Sequence, residues 1–229
     1  MAIVRGQQVA GTGSAGVATA AMVSVTAGNC LMAICANSSG STNPFTVTDN
    51  SGSNTWALLG AGFQSGGANT RIEIWVALNV VAGSYTITAT GGTTSAGVVG
   101  IEWSGVATAS ATDVTAAGGN VTATTFGNVG QTTTNANDVL VIAINYNTVS
   151  GANTATDNNV GGIWTANSAA SISSMVAKSD YAVVSATGTY SNTWTVGTTQ
   201  TSGWAFASLK GASVAINSVS AITKVFGLG

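Results

Sequence analysis

Two glutamates on predicted strands are the side chains of this sequence that could carry out acid–base chemistry. Glu73 and Glu102 each lie in a run of apolar and aromatic residues in the first half of the chain. Carboxyl groups about 5 to 9 Å apart can act as acid and as nucleophile or base in glycoside hydrolysis. Strand alternation places Arg71 on the same face as Glu73, so a cross-strand ion pair is the simpler interpretation. We therefore predict that the chain is not an enzyme.

Histidine and cysteine chemistry is excluded by residue type and spacing. The chain has no histidine, which excludes Ser-His-Asp and Cys-His catalysis as well as histidine-bound metals. Its two cysteines, Cys30 and Cys35, lie in one apolar run, and on a strand they would face opposite sides, about 16 Å apart. They therefore cannot bond to each other or share a zinc ion. We expect no catalytic residue and no cofactor, and two free thiols indicate folding in a reducing compartment such as the cytoplasm.

Two acidic loops at matching positions are candidates for calcium binding. Asp49-Asn50 and Asp157-Asn158 both offer side-chain oxygens, and Ca²⁺ takes six to eight oxygen ligands. Asp and Asn also bond their own backbone in turns, and one carboxylate per loop is few for a divalent cation. We favour turns, and calcium stays an open alternative.

The aromatic residues raise the question of a sugar-stacking surface. The chain has six tryptophans and four tyrosines. Trp75 is the best candidate for a glycan contact because alternation puts it on the same face as the charged residues Arg71 and Glu73. Trp56 and Trp164 recur at matching positions and are expected to anchor the core. Aromatic residues in a sandwich usually belong to the core, so a glycan site is the alternative prediction.

Charged residues make up only 5% of the 229 residues, against about 25% in an ordinary globular domain. The five Lys and Arg residues are scattered singly, whereas nucleic-acid binding needs clustered positive charge. The longest apolar runs, 31–36 and 139–144, are too short to cross a bilayer, and 15–27 is a poor match to a cleaved signal. We predict that the chain binds neither nucleic acid nor membrane and has a neutral polar surface.

An internal duplication organises the chain. Each half opens on an apolar strand and then passes the same landmarks in the same order, 105 to 109 residues apart. The paired landmarks include Asp49 and Asp157, Trp56 and Trp164, Tyr85 and Tyr190, and Gly105 and Gly211. We predict two pseudo-repeats, about 20–106 and 130–212, within one duplicated β-sandwich that spans residues 1–212.

Within each half the pattern is that of short β-strands. Residues 71–76 alternate strictly between apolar side chains and charged or aromatic ones, and clusters of Gly, Asn, Asp and Ser separate such runs. About five or six strands per half suit a β-sandwich. We predict an all-β fold, a β-sandwich or jelly-roll-like architecture in which the two pseudo-repeats share one core.

The last seventeen residues, 213–229, lie outside the duplication. Their apolar residues have nearly helical spacing: Ile216, Val219, Ile222 and Phe226. We expect this tail to pack on its own domain, and the alternative is an arm whose four apolar residues contact another subunit.

Three stretches of the first half carry a family resemblance. They are Val-Thr-Asp-Asn-Ser-Gly-Ser-Asn-Thr-Trp at 47–56, Ile-Glu-Ile-Trp-Val-Ala-Leu-Asn-Val-Val-Ala-Gly at 72–83 and Gly-Ile-Glu-Trp-Ser-Gly-Val at 100–106. They resemble β-sandwich modules of bacterial surface proteins and of structural proteins of tailed bacteriophages, over residues 20–212. Stand-alone members rich in Gly, Ala, Ser and Thr resemble virion proteins: head decoration (cement) proteins, or parts of tails and fibres. The resemblance carries over no catalytic residue.

Composition and resemblance together predict a non-enzymatic virion structural protein of a tailed phage, a capsid decoration protein. A surface so poor in charge suits a subunit packed against copies of itself and against other virion proteins, such as a major capsid or tail protein. Such a protein would be made in the host cytoplasm and reside in the virion. The alternative is a carbohydrate- or receptor-binding β-sandwich module of a tail fibre or of an extracellular surface protein.

Overall fold

The fold is all-β, as predicted. The computed structural model describes residues 1–38, 44–64, 70–147, 155–172 and 175–213. Within these ranges the chain forms fifteen strands and one 3-10 turn, Val160–Gly162. Fifteen exceeds the expected ten to twelve. The first half has eight strands instead of five or six, and two of the eight begin before residue 20. The second half includes three strands of only two or three residues, too short to leave a sequence pattern. In the described residues, no helix is long and apolar enough to span a membrane.

The first half contains eight strands in two sheets. These are β1 (Val4–Gly13), β2 (Val17–Val25), β3 (Cys30–Asn37), β4 (Thr46–Asp49), β5 (Trp56–Gln64), β6 (Thr70–Ala77), β7 (Gly83–Thr90) and β8 (Ala96–Ser104). Five of them form an antiparallel sheet in the order β1-β8-β3-β6-β5, which we call the first inner sheet. The other three, in the order β2-β7-β4, form a smaller sheet that covers part of its outer face.

The second half is built around two long strands. Its elements are β9 (Thr112–Thr132), β10 (Asp138–Asn147), β11 (Thr156–Asp157), β12 (Thr165–Ala166), β13 (Ala170–Ile172), β14 (Met175–Val184) and β15 (Thr189–Lys210). They form one sheet in the order β11-β15-β10-β14-β12, with β13 paired to β14 and β9 paired to β15. Several register shifts interrupt the pairing of β9 with β15, and such irregularities bend a strand pair. This ribbon therefore supplies both a strand beside β10 and a cover over one face of β10.

The two halves have the same strand order around their central strands. In the first, β3 lies between β8 and β6, and in the second, β10 lies between β15 and β14. β3 and β10 are the opening strands of the two pseudo-repeats proposed from the sequence. The duplication itself stays a prediction.

Three apolar clusters hold the layers together. β3 is buried along its whole length, and alternation sends Cys30, Met32, Ile34 and Ala36 into a cluster that also takes side chains from β10, β14 and β15. We call this the central cluster, and both halves share it. The opposite face of β3 belongs to a first outer cluster under β2, β4 and β7. The opposite face of β10 belongs to a second outer cluster under β9 and β15.

The cysteines lie as the spacing predicts. Cys30 belongs to the central cluster and Cys35 to the first outer cluster, on opposite faces of β3. Both thiols are free and buried, and burial raises the pKa of each thiol well above its usual value. Both cysteines therefore behave as small apolar core residues.

Backbone contact at glycines joins the two halves. Gly62 on β5 lies so close to β15 that a Cβ built on it would stand 2.2 Å from the carbonyl oxygen of Trp204. The obstacle is backbone, which a rotamer change cannot relieve. A glycine at this position lets the first inner sheet pack directly on β15.

We predict that Gly62→Ala lowers the melting temperature by about 4 to 8 °C, because overpacking at a rigid contact costs on the order of 1–3 kcal/mol. Gly197→Ala is the matched control, since a Cβ added at Gly197 would meet no described atom within 4 Å. Thermal unfolding followed by circular dichroism measures both. Equal melting temperatures for the two variants would contradict this packing of β5 on β15.

Candidate functional site

Glu73 is the most enclosed charged residue of the first half. Its side chain is fully buried on β6 and accepts hydrogen bonds from the Nε1 of Trp75 at 2.6 Å and from the backbone N–H of Phe45 at 3.1 Å. It also pairs with the guanidinium of Arg71. The predicted ion pair between Arg71 and Glu73 is therefore present, but the prediction that it joins two strands is wrong. Arg71 and Glu73 are two residues apart on one strand, which puts them side by side on the same face.

Glu102 is held by a separate set of donors. It lies on β8 and is 6% exposed. One carboxylate oxygen accepts from the Nδ2 of Asn29 at 2.7 Å and the backbone N–H of Thr26 at 2.9 Å. The other accepts from the Nε2 of Gln7 at 2.9 Å. This glutamate ties β8 to β1 and to the loop between β2 and β3.

The two glutamates do not form a carboxylate pair. Glu73 lies opposite Cys35, and Glu102 lies opposite Leu31 on the other side of β3. Four residues along the strand and two strand spacings across it separate them by roughly 16 Å. Carboxyl groups that cooperate in glycoside hydrolysis stand about 5 to 9 Å apart. Each glutamate is explained by its own structural hydrogen bonds.

Two tryptophans form a small platform on the outer face of β5 and β6. Trp75 donates its indole N–H to Glu73, and Trp56 donates its own to Asp49 at 2.9 Å. Leu58, which is 39% exposed, lies directly opposite Trp75 in the strand register. We call Trp56, Leu58 and Trp75 the tryptophan platform. Each indole is fixed in orientation by a carboxylate that can accept its N–H.

Both platform tryptophans are partly buried and pack against the first outer cluster. Trp75 thus lies on the face that alternation predicts, and part of its side chain stays accessible. The duplicated sequence pattern grouped Trp56 with Trp164 as core anchors. Trp164 is 5% exposed and lies in the second outer cluster, whereas Trp56 borders solvent beside Trp75.

The Asp49 loop has the hydrogen bonding of a turn. The carboxylate accepts from the backbone N–H and the hydroxyl of Ser51, from Asn54 and from Trp56. Desolvation raises the pKa of Asp49, but these donors outweigh it and hold the pKa below its ordinary value. Donors occupy both carboxylate oxygens, and a cation would have to displace them.

The Asp157 loop differs from the Asp49 loop. Asp157 accepts from the backbone N–H of Asn159 at 2.8 Å and from the Nδ2 of Asn192 at 2.9 Å. The same amide group of Asn192 also donates to the buried carboxyl group of Asp180 at 2.9 Å. In the described ranges, no group of three or more His, Cys, Asp or Glu residues could hold a metal ion. The described residues around Asp49 and Asp157 therefore add no support for a calcium site at either loop.

Asp180 is a buried carboxyl group beside another carboxylate. Desolvation, and then the negative charge of Asp157, raise the pKa of Asp180 to about 7, although Lys178 and Asn192 act in the opposite direction. The protonated form is thus the ordinary state of Asp180 in the folded protein below neutral pH. Sequence reasoning did not find this pair, since it depends on the approach of β11 to β14.

Asp113 and Asp138 form a second pair of this kind. Desolvation and the neighbouring Asp113 raise the pKa of Asp138 to about 6, with Asn135 opposing. Asp138 is fully buried, and its Oδ2 has no hydrogen-bond donor among the described residues. A proton held between Asp138 and Asp113 accounts for this oxygen, because a protonated carboxyl group can donate.

The outer surface is almost free of charge. Eleven of the twelve charged residues lie in the described part of the chain, and none of the eleven is exposed. Four are buried: Glu73, Glu102, Asp138 and Asp180. The other seven are partly buried. The exposed large apolar residues include four valines on the first half: Val4, Val17, Val23 and Val81.

No protein-family model, curated protein or solved structure matches this chain. The resemblance to phage and surface β-sandwich modules therefore stays a prediction from the three sequence stretches. The predicted subunit contacts Ile216, Val219, Ile222 and Phe226 lie outside the described residues.

The two raised aspartate pKa values predict a stability that falls as pH rises. The folded state binds protons at Asp138 and Asp180 more tightly than the unfolded chain does, so their contribution is complete below about pH 4 and is lost as pH rises through 6 to 7. Asp180→Asn keeps the side chain neutral at every pH. We expect it to raise stability at pH 8 by about 2 kcal/mol and to change it little at pH 4.

Asp49→Asn is the control, because its effect on stability should depend on pH in the opposite direction. The pKa of Asp49 is lowered in the folded state, so its contribution is present above the unfolded pKa and is lost in acid. This variant should be less stable than the parent at pH 8. Urea unfolding at several pH values measures each effect, and an Asp180→Asn variant destabilised equally at both pH values would contradict the assignment.

Proposed function

We propose that this chain is a non-enzymatic structural subunit of a tailed-phage particle, a capsid decoration protein. The observation that carries the proposal is a surface poor in charge: among the described residues, no charged side chain is more than partly exposed. A protein that stays free in solution usually has a surface of which about a quarter or more is charged. Four of the seven carboxyl groups of this chain are buried, where they bond its own backbone and side chains.

Such a surface is well suited to permanent contact. Burying neutral Ser, Thr and Asn side chains avoids the large desolvation penalty that comes with burying ions. Little charge repulsion opposes the approach of further copies, because the net charge is only −2. The exposed valines add apolar area of the kind found at subunit contacts.

The partners of this function would be copies of the same chain and a major capsid or tail protein. Symmetric association is the ordinary arrangement for soluble subunits. The chain would be made in the host cytoplasm and reside in the virion. The two candidate glutamates lie too far apart to cooperate, so they lend no support to an enzymatic role.

We expect the purified chain to form a closed oligomer in light scattering over about a hundredfold concentration range, because little charge repulsion opposes contact between its copies. We also expect it in fixed stoichiometry in phage particles purified from cultures whose genome encodes it, measured by mass spectrometry. A strict monomer of 22.4 kDa that is missing from such particles would contradict the proposal.

A second function is favoured by the tryptophan platform: binding of carbohydrate on a cell or particle surface. Sugar rings stack on aromatic faces, and a ring fixed before binding loses less freedom when the ligand arrives. Glu73 and Asp49 fix the two indoles in this way. Polar groups for hydrogen bonds lie close by, since Asn54 also bonds Asp49.

For this second function we expect saturable binding on a glycan array that Trp75→Ala reduces about five- to thirtyfold, since a lost stacking contact is worth on the order of 1 to 2 kcal/mol. Tyr190→Ala is the control, because it removes a partly buried aromatic residue from the other half. Binding that both variants reduce equally would point to lost stability, and no binding by the parent chain would reject this function.

A further inference from the structure

An apolar cleft opens where the first inner sheet meets the segment that enters β9. Its volume is about 360 Å³, within the size range of small binding pockets. Its walls carry apolar side chains of β5, β6 and the residues after them, and three polar residues stand at the rim. The lining is Ala57, Leu59, Val76, Leu78 and Ala111, with Thr55, Ser110 and Thr112.

The described chain ends beside this cleft. The backbone N–H of Ala212 donates to the carbonyl of Gly105 at 2.7 Å. Ser213 then lines a neighbouring cleft of about 290 Å³ together with the loop 107–109. The same loop continues into Ser110 and Thr112 at the rim of the apolar cleft. Ser213, the last described residue, therefore lies about one short loop away from an apolar surface.

The sixteen residues that follow have a composition that fits this surface. Residues 214–229 contain one charged residue, Lys224, and no proline. Ile216, the first large apolar residue after Val214, comes three residues after Ser213, and three extended residues reach about 10 Å. Val219 follows at a spacing that puts it on the same side of a helical turn as Ile216. The tail thus offers apolar side chains within reach of the cleft.

We propose that residues 214–229 bind along the loop 107–112 of their own chain and place Ile216 and Val219 in the apolar cleft. The chain's own tail is the favoured occupant because a short tether gives it an effective concentration in the millimolar range. The tail then seals the open edge of the central cluster, against which Leu59 and Leu78 pack. This inference does not depend on the proposed function.

Removing the tail tests the docking through stability. Deletion of 214–229 exposes the cleft, and we expect a melting temperature lower by about 4 to 8 °C, because the apolar burial of two large side chains is lost. An apolar dye should bind the shortened chain more strongly. Deletion of 227–229 alone is the control, since it keeps Ile216, Val219, Ile222 and Phe226. Identical behaviour of the two deletions would overturn the proposal.

A pair of introduced cysteines tests which chain the tail binds. Thr55→Cys at the cleft rim with Val219→Cys in the tail should form a disulfide on mild oxidation, and the product should keep the mass of one chain. Cys30 and Cys35 are buried and do not interfere. Thr48→Cys with Val219→Cys is the control, since Thr48 is exposed on β4, in the other sheet. A product of two-chain mass, or no disulfide, would overturn docking within one chain.

Discussion

The structure depends on two strands that are apolar on both faces. β3 and β10 each send alternate side chains into the central cluster and the rest into an outer cluster. A strand with this pattern is stable only when both faces are covered. One face of each strand is covered by the opposite half, and the other by its own outer strands. The layers, the glycine contacts between β5 and β15, and the position of the apolar cleft all follow from this double burial.

The few charges of the chain are used inside the fold. Glu102 connects β8 with β1 and with the loop between β2 and β3, and Glu73 fixes Trp75 beside the backbone of Phe45. A buried carboxylate is tolerated only when donors surround it, and both glutamates meet that condition. Asp138 and Asp180 meet it differently, by holding a proton beside a second carboxylate. The interior therefore holds four of the seven acidic side chains, and the surface keeps little charge.

Local pattern predicted the strands and the faces but not the contacts between distant strands. Alternation in 71–76 correctly placed Trp75 beside Glu73, and the five-residue spacing correctly put Cys30 and Cys35 on opposite faces. The separation of Glu73 from Glu102 depends on β3 lying between β6 and β8, an order that no local pattern encodes. The Asp157–Asp180 pair likewise arises from tertiary approach, that of β11 to β14. Periodicity alone carries no information about such approaches.

The ribbon of β9 and β15 has a consequence for how the chain reaches its fold. Its pairs run from Thr132 with Thr189 to Thr112 with Leu209, so the partners lie between 57 and 97 residues apart in the sequence. Such non-local pairs form only after a large loop has closed, and the entropy cost of closure comes before any hydrogen bond is made. Proteins rich in such pairs fold in milliseconds to seconds. β10 also needs β15 as its neighbour. The second half can therefore acquire its final structure only after synthesis has passed Lys210, whereas the eight strands of the first half are complete by Ser104.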